Sequence, residues 1–195
     1  MTDKPANPDP DAALMLRVKQ GDTNAFAELV EKYKQPLFNF IYRTLRDETE
    51  TEDVAQNVFL QVYKSRARYE RTAKFSTWLF TIAANLARNH FRWRSRHPNL
   101  SLDAENPETE RSLGSTLPSN SPNPNEAALA EERVSAIQLA VKNLPADLRE
   151  AIVLCEWEEC SVAEAAAILE ATPKAVESRL YRARQILRER LQSWL

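Results

Sequence analysis

The chain has 195 residues, 43% hydrophobic and 28% charged, with two glycines, two cysteines, two histidines and a formal net charge of −2. That length suits one large domain or two small ones, each with its own apolar core. A single cysteine pair, Cys155 and Cys160, is no disulfide framework, and no apolar run approaches membrane-spanning length, which argues against a stapled secreted scaffold and against direct membrane insertion. The opening MTDKPANPDPD lacks the basic start and apolar middle of a signal peptide, so a cytoplasmic location is expected. Few glycines with abundant Ala, Leu, Glu and Arg favour helix, and no long window alternates apolar with polar residues. The expected fold is all-α: two small helical domains joined by a flexible linker.

Four helices are expected before the linker. Asp9 can cap the first, Pro10 suits its first position, and Gly21 can end it. The second begins near Asp22 or Thr23 and carries Phe26, Leu29, Val30, Tyr33, Leu37, Phe40, Ile41 and Leu45 at helical spacing, with Pro36 as a kink. The third is expected to start at Thr51, with Glu52 and Asp53 in the first turn, where the helix dipole favours anions, and Val54, Val58 and Val62 inward. The fourth starts after Ser76, with Leu79, Ile82, Ala83 and Leu86 inward.

From His97 to Asn125 the chain holds five prolines, many Ser and Asn, and no helical period. It reads as a flexible linker, giving domains at 1–97 and 126–195 around a tether at 98–125. Asn125 or Glu126 opens a helix bearing Ala130, Val134, Ile137, Val141 and Leu144, and another follows Pro145 with Leu148, Ile152 and Cys155. Ser161 and Glu164 form a capping box; Thr172 caps a last helix with Pro173 at its first position. Two short helices on a turn of about three residues, Glu170 to Thr172, suggest a helix-turn-helix.

The charge is segregated. Residues 64–97 hold nine Lys/Arg and one acid, residues 147–170 hold seven acids and Arg149, and residues 172–190 hold six Lys/Arg and two acids. Two basic blocks separated by acid suggest two anion-binding surfaces. On the last helix, Val176, Leu180, Ala183, Leu187 and Leu191 share one stripe, which must be core. Lys174, Ser178, Tyr181, Arg182, Gln185 and Glu189 lie opposite, with Arg179, Arg184 and Arg188 on the flanks. Arg can read guanine bidentately, Ser and Gln can reach bases or phosphates, and Tyr can meet a thymine methyl or a sugar. A solvated basic face is the plain alternative; the capped helix and tight turn before it favour duplex DNA.

The other basic block interleaves its cations with Tyr63, Tyr69, Phe75, Trp78, Phe80, Phe91 and Trp93, a mixture suited to single strands, whose unstacked bases need flat partners. Trp78, Asn85, Asn89, Arg92 and Arg96 line up beside the apolar stripe, and an Asn amide can hydrogen-bond a base edge. Phe75 and Trp78 read equally well as core. A third surface is DETETED, residues 47–53, followed by Gln56 and Asn57, either an ordinary solvated helix start or a docking site for a basic partner.

TEDVAQNVFLQVYKS, FSTWLFTIAANLARNHFR, LPADLREAIVLCEWEECSVAEAAAILEATPKAVESRLYRARQILRERL and the opening RVKQGDTNAFAELVEKY together resemble the extracytoplasmic-function sigma factors of bacterial RNA polymerase. The resemblance implies a promoter-melting first domain, a linker threaded along the polymerase, and a C-terminal helix-turn-helix reading the −35 element. By carry-over, Asp53, Gln56, Asn57 and Phe59 dock on the coiled coil of the polymerase's largest subunit. Tyr69 to Thr77 form a loop that captures a flipped −10 base, with Asn85 lining its pocket and Arg88, Asn89 and Arg92 along the promoter-contacting helix. Ser178, Arg179, Tyr181 and Arg182 match the family's −35 contacts. The implied partners are core polymerase, through its largest and second-largest subunits, promoter DNA, and an anti-sigma factor able to hold the chain at the inner membrane.

Glu170 and Lys174 stand where many such proteins carry glycine, and Glu177 stands where many carry Lys or Arg. An acid at 177 is compatible with DNA if it pairs with Arg184 or accepts from a cytosine amine. Two other readings of the chain are a stand-alone helix-turn-helix repressor, which needs neither the aromatic-basic block nor the acidic stretch, and an enzyme using the cysteines or His90 and His97. There is no Gly-rich phosphate loop, metal-ligand cluster or nucleophile elbow, so no catalytic residue, metal or cofactor is expected. Cys155 reads as a half-buried thiol and Cys160 as one at a helix end.

Overall fold

The computed structural model describes residues 9–96 and 124–194. Over these the protein forms eight α-helices and two 3₁₀ turns, with no strand. The expected linker lies outside the described residues except for Pro124 and Asn125, which already belong to a helix.

Helix α1 is Pro10–Lys19; the Asp9 carboxylate accepts from the Asp11 N–H at 3.0 Å, and Gly21 turns the chain with φ +97°, a conformation that suits glycine. Helix α2, Thr23–Leu45, is capped by Asp22, which accepts from Asn24 N and Ala25 N, and runs through Pro36. Its buried stripe, Leu29, Tyr33, Leu37, Phe40, Ile41 and Leu45, is the axis of the first core.

Helix α3 is Glu48–Ser65 and starts a turn earlier than expected. Asp47, not Thr51, is its cap, accepting from Glu50 N at 3.0 Å, while Thr51 is buried in the helix with its hydroxyl donating to Asp47 O. Threonine has the right chemistry for a cap, but an aspartate one turn upstream takes that role and adds a charge at the dipole.

Helix α4, Phe75–Arg96, also begins earlier than expected, and its cause is distant in sequence: the Phe75 N–H donates to Asp9 Oδ2 at 2.8 Å. One carboxylate therefore serves the first turns of α1 and α4. Between α3 and α4, a 3₁₀ turn at Arg66–Arg68 leads into a loop whose residues 70–74 are exposed.

The first core is aromatic. Tyr33 meets Phe75 edge-on at 5.3 Å between centroids, Phe40 meets Phe80 at 5.3 Å, and Tyr69 meets Trp78 at 5.0 Å.

The second domain comprises α5 (Pro124–Lys142), α6 (Ala146–Glu156), α7 (Val162–Ile168), α8 (Pro173–Arg190) and a 3₁₀ turn at Gln192–Trp194. Its core is aliphatic: Leu148, Ile152, Leu154, Ile168, Val176 and Leu180, with alanines between. Of the apolar residues expected on this helix, Ala130, Val134 and Ile137 are exposed; Ala140 and Val141 in its last turn are buried, as is Leu144 just beyond it. There Ala140 O accepts from Arg190 of α8 at 3.2 Å. The capping box forms as expected, with Glu164 N donating to Ser161 Oγ and Ser161 N to Glu164 Oε2 at 2.8 Å. Thr172 caps α8 through Ala175 N. The two domains meet where α4 packs on α7 and α2 on α6.

Candidate nucleic-acid and polymerase interfaces

Helix α8 divides by face. Val176, Leu180 and Ala183 are buried, and Leu187 and Leu191 half-buried. Opposite them Lys174, Ser178, Arg182, Gln185 and Glu189 are exposed, and Tyr181 is 64% exposed, with its hydroxyl accepting from Gln185 Nε2 at 3.1 Å. Among the described residues nothing in its own domain covers this row, and its register places Lys174, Ser178, Tyr181, Arg182 and Gln185 together. Arg179 is half-buried on the flank, 3.8 Å from Asp147. Arg184 binds Glu156 at 2.6 Å rather than Glu177, which leaves the cytosine-amine role open to Glu177, itself exposed.

The aromatic-basic block is distributed differently. Tyr69 and Phe75 are 2% and 1% exposed, so in this conformation their rings hold the loop from below instead of facing a base. The Tyr69 hydroxyl is buried without a hydrogen-bond partner, and burial raises its pKa above the ordinary range. Trp78 is half-buried against both rings. Asn85, Arg88, Asn89 and Arg92 share the next turns of α4, with Asn89 and Arg92 exposed. Asn85 and Arg88 are engaged: Asn85 Nδ2 donates to Glu170 Oε1 at 3.0 Å, and Arg88 lies 3.8 Å from Glu150 and donates to Ile168 O at 3.5 Å.

On α3, Asp53, Gln56 and Asn57 are exposed along one face, and Phe59 is half-buried against the core. Asn57 also lines a groove of about 350 Å³ between α3 and α4, together with Leu60, Lys64, Asn89, His90 and Trp93. The expected polymerase face and the expected promoter face therefore share an edge.

Reading the sequence alone misses the side chains that join the domains. Arg43 lies 3.8 Å from Glu158 and over the Trp157 ring; Lys74 binds Glu164 at 2.7 Å. Arg149, only 4% exposed, donates to Thr44 O at 3.0 Å across the seam and to Lys142 O and Leu144 O in its own domain. Burial, then the nearby Arg46, lowers its pKa to about 10, so it stays charged at neutral pH. The signal for these contacts was the charge segregation: the acids of residues 147–170 sit against cations of α2, the loop and α4.

Cys155 and Cys160 are free and half-buried. Burial, followed by Glu164, pushes Cys160 up to about 12, which keeps its thiol protonated. Among the described residues no cluster of His, Cys, Asp or Glu is placed to hold a metal, and no helix is long and apolar enough to cross a membrane.

Comparison with known proteins covers both halves. Residues 29–97 match Sigma-70 region 2, and residues 135–187 match Sigma-70, region 4. The chain is 34% identical to the RNA polymerase sigma-H factor of Pseudomonas aeruginosa over 95% of each protein. It is 36% identical to the ECF RNA polymerase sigma factor SigW of Bacillus subtilis, covering 90% of this chain and 93% of that one. With the ECF RNA polymerase sigma-E factor of Escherichia coli K12 the identity is 33%, over 93% of this chain and 94% of that one. Among solved structures, CnrH in complex with the cytosolic domain of CnrY superposes with a TM-score of 0.68 at 27% identity, covering 95% of this chain and 99% of that one. With both regions in order and this identity along nearly its whole length, the chain belongs to the extracytoplasmic-function sigma factors of the sigma-70 family.

Proposed function

We propose that residues 1–97 dock on core polymerase and open the −10 element, that 98–125 tether the two domains along the polymerase, and that 126–195 read the −35 duplex. Lys174, Ser178, Arg179, Tyr181, Arg182 and Gln185 contact the −35 duplex, Arg182 at a base edge and the flanking cations at phosphates. Asn85 receives a flipped −10 base, with Arg88, Asn89 and Arg92 along the strand. Tyr69, Phe75 and Trp78 hold the capture loop and lend it an aromatic floor. Asp53, Gln56, Asn57 and Phe59 meet the polymerase's largest subunit, and the second domain meets the second-largest. Extruding a base costs a few kcal/mol, which polymerase binding and stacking offset. The chain itself catalyses nothing; it redirects the polymerase to a signal-responsive set of promoters.

The reading rests on one observation above others. A capped helix-turn-helix with an open polar row and an acid-led α3 with exposed Asp53, Gln56 and Asn57 sit on one chain. Likeness to CnrH, which was solved with the cytosolic domain of CnrY, supports a protein partner for this chain as well. We assign that partner as an anti-sigma factor that restrains the chain in the cytoplasm or holds it at the inner membrane.

Transcription of a genomic library with purified core polymerase tests the proposal: new start sites sharing −35 and −10 sequences are expected, and their absence would sink it. Asn85→Ala should impair opening of linear promoters more than it impairs polymerase binding. Tyr69→Ala should do the same while also costing stability, since its ring is buried. Normal opening by both variants would remove the base-capture assignment.

A further inference from the structure

Between the buried rings of Tyr69 and Phe75 lie the exposed residues 70–74, and both ends of this stretch are bonded to one helix, α1. At the leading end, Lys19 Nζ, in the last turn of α1, donates to the Tyr69 carbonyl at 3.0 Å, across 50 positions of chain. At the trailing end, the Asp9 carboxylate, at the cap of α1, accepts from the Phe75 N–H at 2.8 Å, across 66 positions. Both of the atoms held are main-chain atoms. The backbone of the loop is therefore fixed where it leaves and where it rejoins the core, while the side chains of residues 70–74 are exposed.

Helix α1 is a firm base for such a hold. Ala12, Met15 and Val18 are fully buried. Asp11, 7% exposed, accepts from Lys32 Nζ at 2.6 Å and from the Tyr33 hydroxyl at 2.5 Å, both on α2. The Tyr33 ring meets Phe75 edge-on, and Phe75 and Tyr69 both lie against Trp78. One network thus runs from α2 through α1 to the two residues that bound the loop. A helix-terminal cation has a plainer use, since it suits the negative end of the dipole. Arg17 stands in that same turn and pairs with Asp22 at 2.7 Å. Lys19 instead reaches a neutral main-chain oxygen far along the chain, a partner that the dipole does not require.

We propose that Lys19 is a positioning residue for −10 recognition: together with Asp9 it makes α1 the mount of the capture loop, holding the loop backbone where a flipped base can seat beside Asn85. This rests on the assignment of residues 69–77 and Asn85 to the −10 element. Lys19 touches no nucleotide in this role; it acts through the Tyr69 carbonyl. A loop held at both ends is preorganised, so the incoming strand does not have to order it. Without the Lys19 bond the Phe75 end stays tied and the Tyr69 end is loosened, and the loop then spends time in positions where the base no longer seats. Lys19 is exposed, so removing its ammonium loosens the loop without unfolding the domain.

The test uses holoenzyme assembled from core polymerase and the full chain, on linear promoters mapped with this factor. Each promoter is prepared intact and with a single non-template −10 base replaced by an abasic site, at the position where that change costs wild-type holoenzyme most. Opening is read by permanganate reactivity of unpaired thymines, with polymerase affinity and thermal unfolding measured alongside. Lys19→Met keeps the aliphatic stem and removes the donor. It should lower opening of the intact promoter about fivefold, the scale of one hydrogen bond, with polymerase affinity and melting temperature unchanged. On the abasic promoter Lys19→Met and wild type should open alike, because no base remains to seat. Lys19→Arg, which keeps a charged donor, should recover opening of the intact promoter. A lysine that merely supports the fold would lower opening on both templates to the same degree, and that equal loss overturns the proposal. Undiminished opening of the intact promoter by Lys19→Met, or failure of Lys19→Arg to recover it, also overturns the proposal. Should Asn85→Ala leave opening of the intact promoter at the wild-type level, the underlying −10 assignment fails first. Should Asn85→Ala impair opening while Lys19→Met does not, only the role of α1 is lost.

Discussion

The two faces proposed to meet nucleic acid are built by different means. The α8 face is local: Thr172 caps the helix, Pro173 starts it, Val176, Leu180 and Ala183 anchor it, and the polar row follows from helical period alone. The α4 face is assembled from afar. Asp9 fixes its first N–H, Tyr69 and Phe75 hold its loop from within the core, and Glu150 and Glu170 cover its donors. A face made by local rules remains open and separable from stability. A face made by long-range contacts ties some of its residues, Asn85 and Arg88, to the seam, while Asn89 and Arg92 stay exposed.

The sharpest way to break that contrast is a pair of aromatic truncations. Phe75→Ala removes a fully buried ring and should cost about 3–5 kcal/mol in urea unfolding, whereas Tyr181→Ala, on the open face, should stay within about 0.5 kcal/mol. Equal losses would erase the distinction. Next in size, Arg182→Ala should cost about 1–3 kcal/mol of −35 discrimination, read as a relaxed preference at one base position in duplex competition assays. Lys174→Ala should instead weaken binding across all sequences and flatten its salt dependence. A change of base preference with Lys174→Ala and none with Arg182→Ala would reverse their roles.

The smallest effect tests the seam by pH. Burial raises the Glu158 carboxyl from the ordinary 4.5 to about 7, and Arg43, on the facing α2, opposes that rise; Cys160 lies beside it in its own domain. A raised folded-state pKa gives stability that is complete below the unfolded value and is lost as pH climbs through the folded one. The melting temperature of the wild type relative to Glu158→Gln should therefore fall between pH 4.5 and about 7 and level off above it. A difference that stays flat across that window would show that Glu158 does not titrate there.

What could be read from the sequence follows the same division. Caps at Asp9, Asp22, Ser161 and Thr172, the core stripes, and the division of α8 into two faces all follow from residues within a turn or two of one another. The start of α3 was misplaced because Thr51 and Asp47 are both competent caps, and only the folded chain buries the threonine. The start of α4 was misplaced because its partner lies 66 residues away. Helical period showed that Val134 and Ile137 share a stripe, but period does not say whether a stripe is covered, and here it is exposed. Glu170 was visible as a departure from glycine; its reach to Asn85, 85 residues distant, was not.

The shared carboxylate of Asp9 has a practical consequence. Its two oxygens tie the start of α1 to the start of the helix that carries Asn85 and Arg92, so the stretch around Asp9 supports the face proposed for the −10 strand. Shortening the protein past Asp9, or fusing a bulky tag close to it, would unfasten that clasp and disturb strand capture at a position that looks expendable on a linear map.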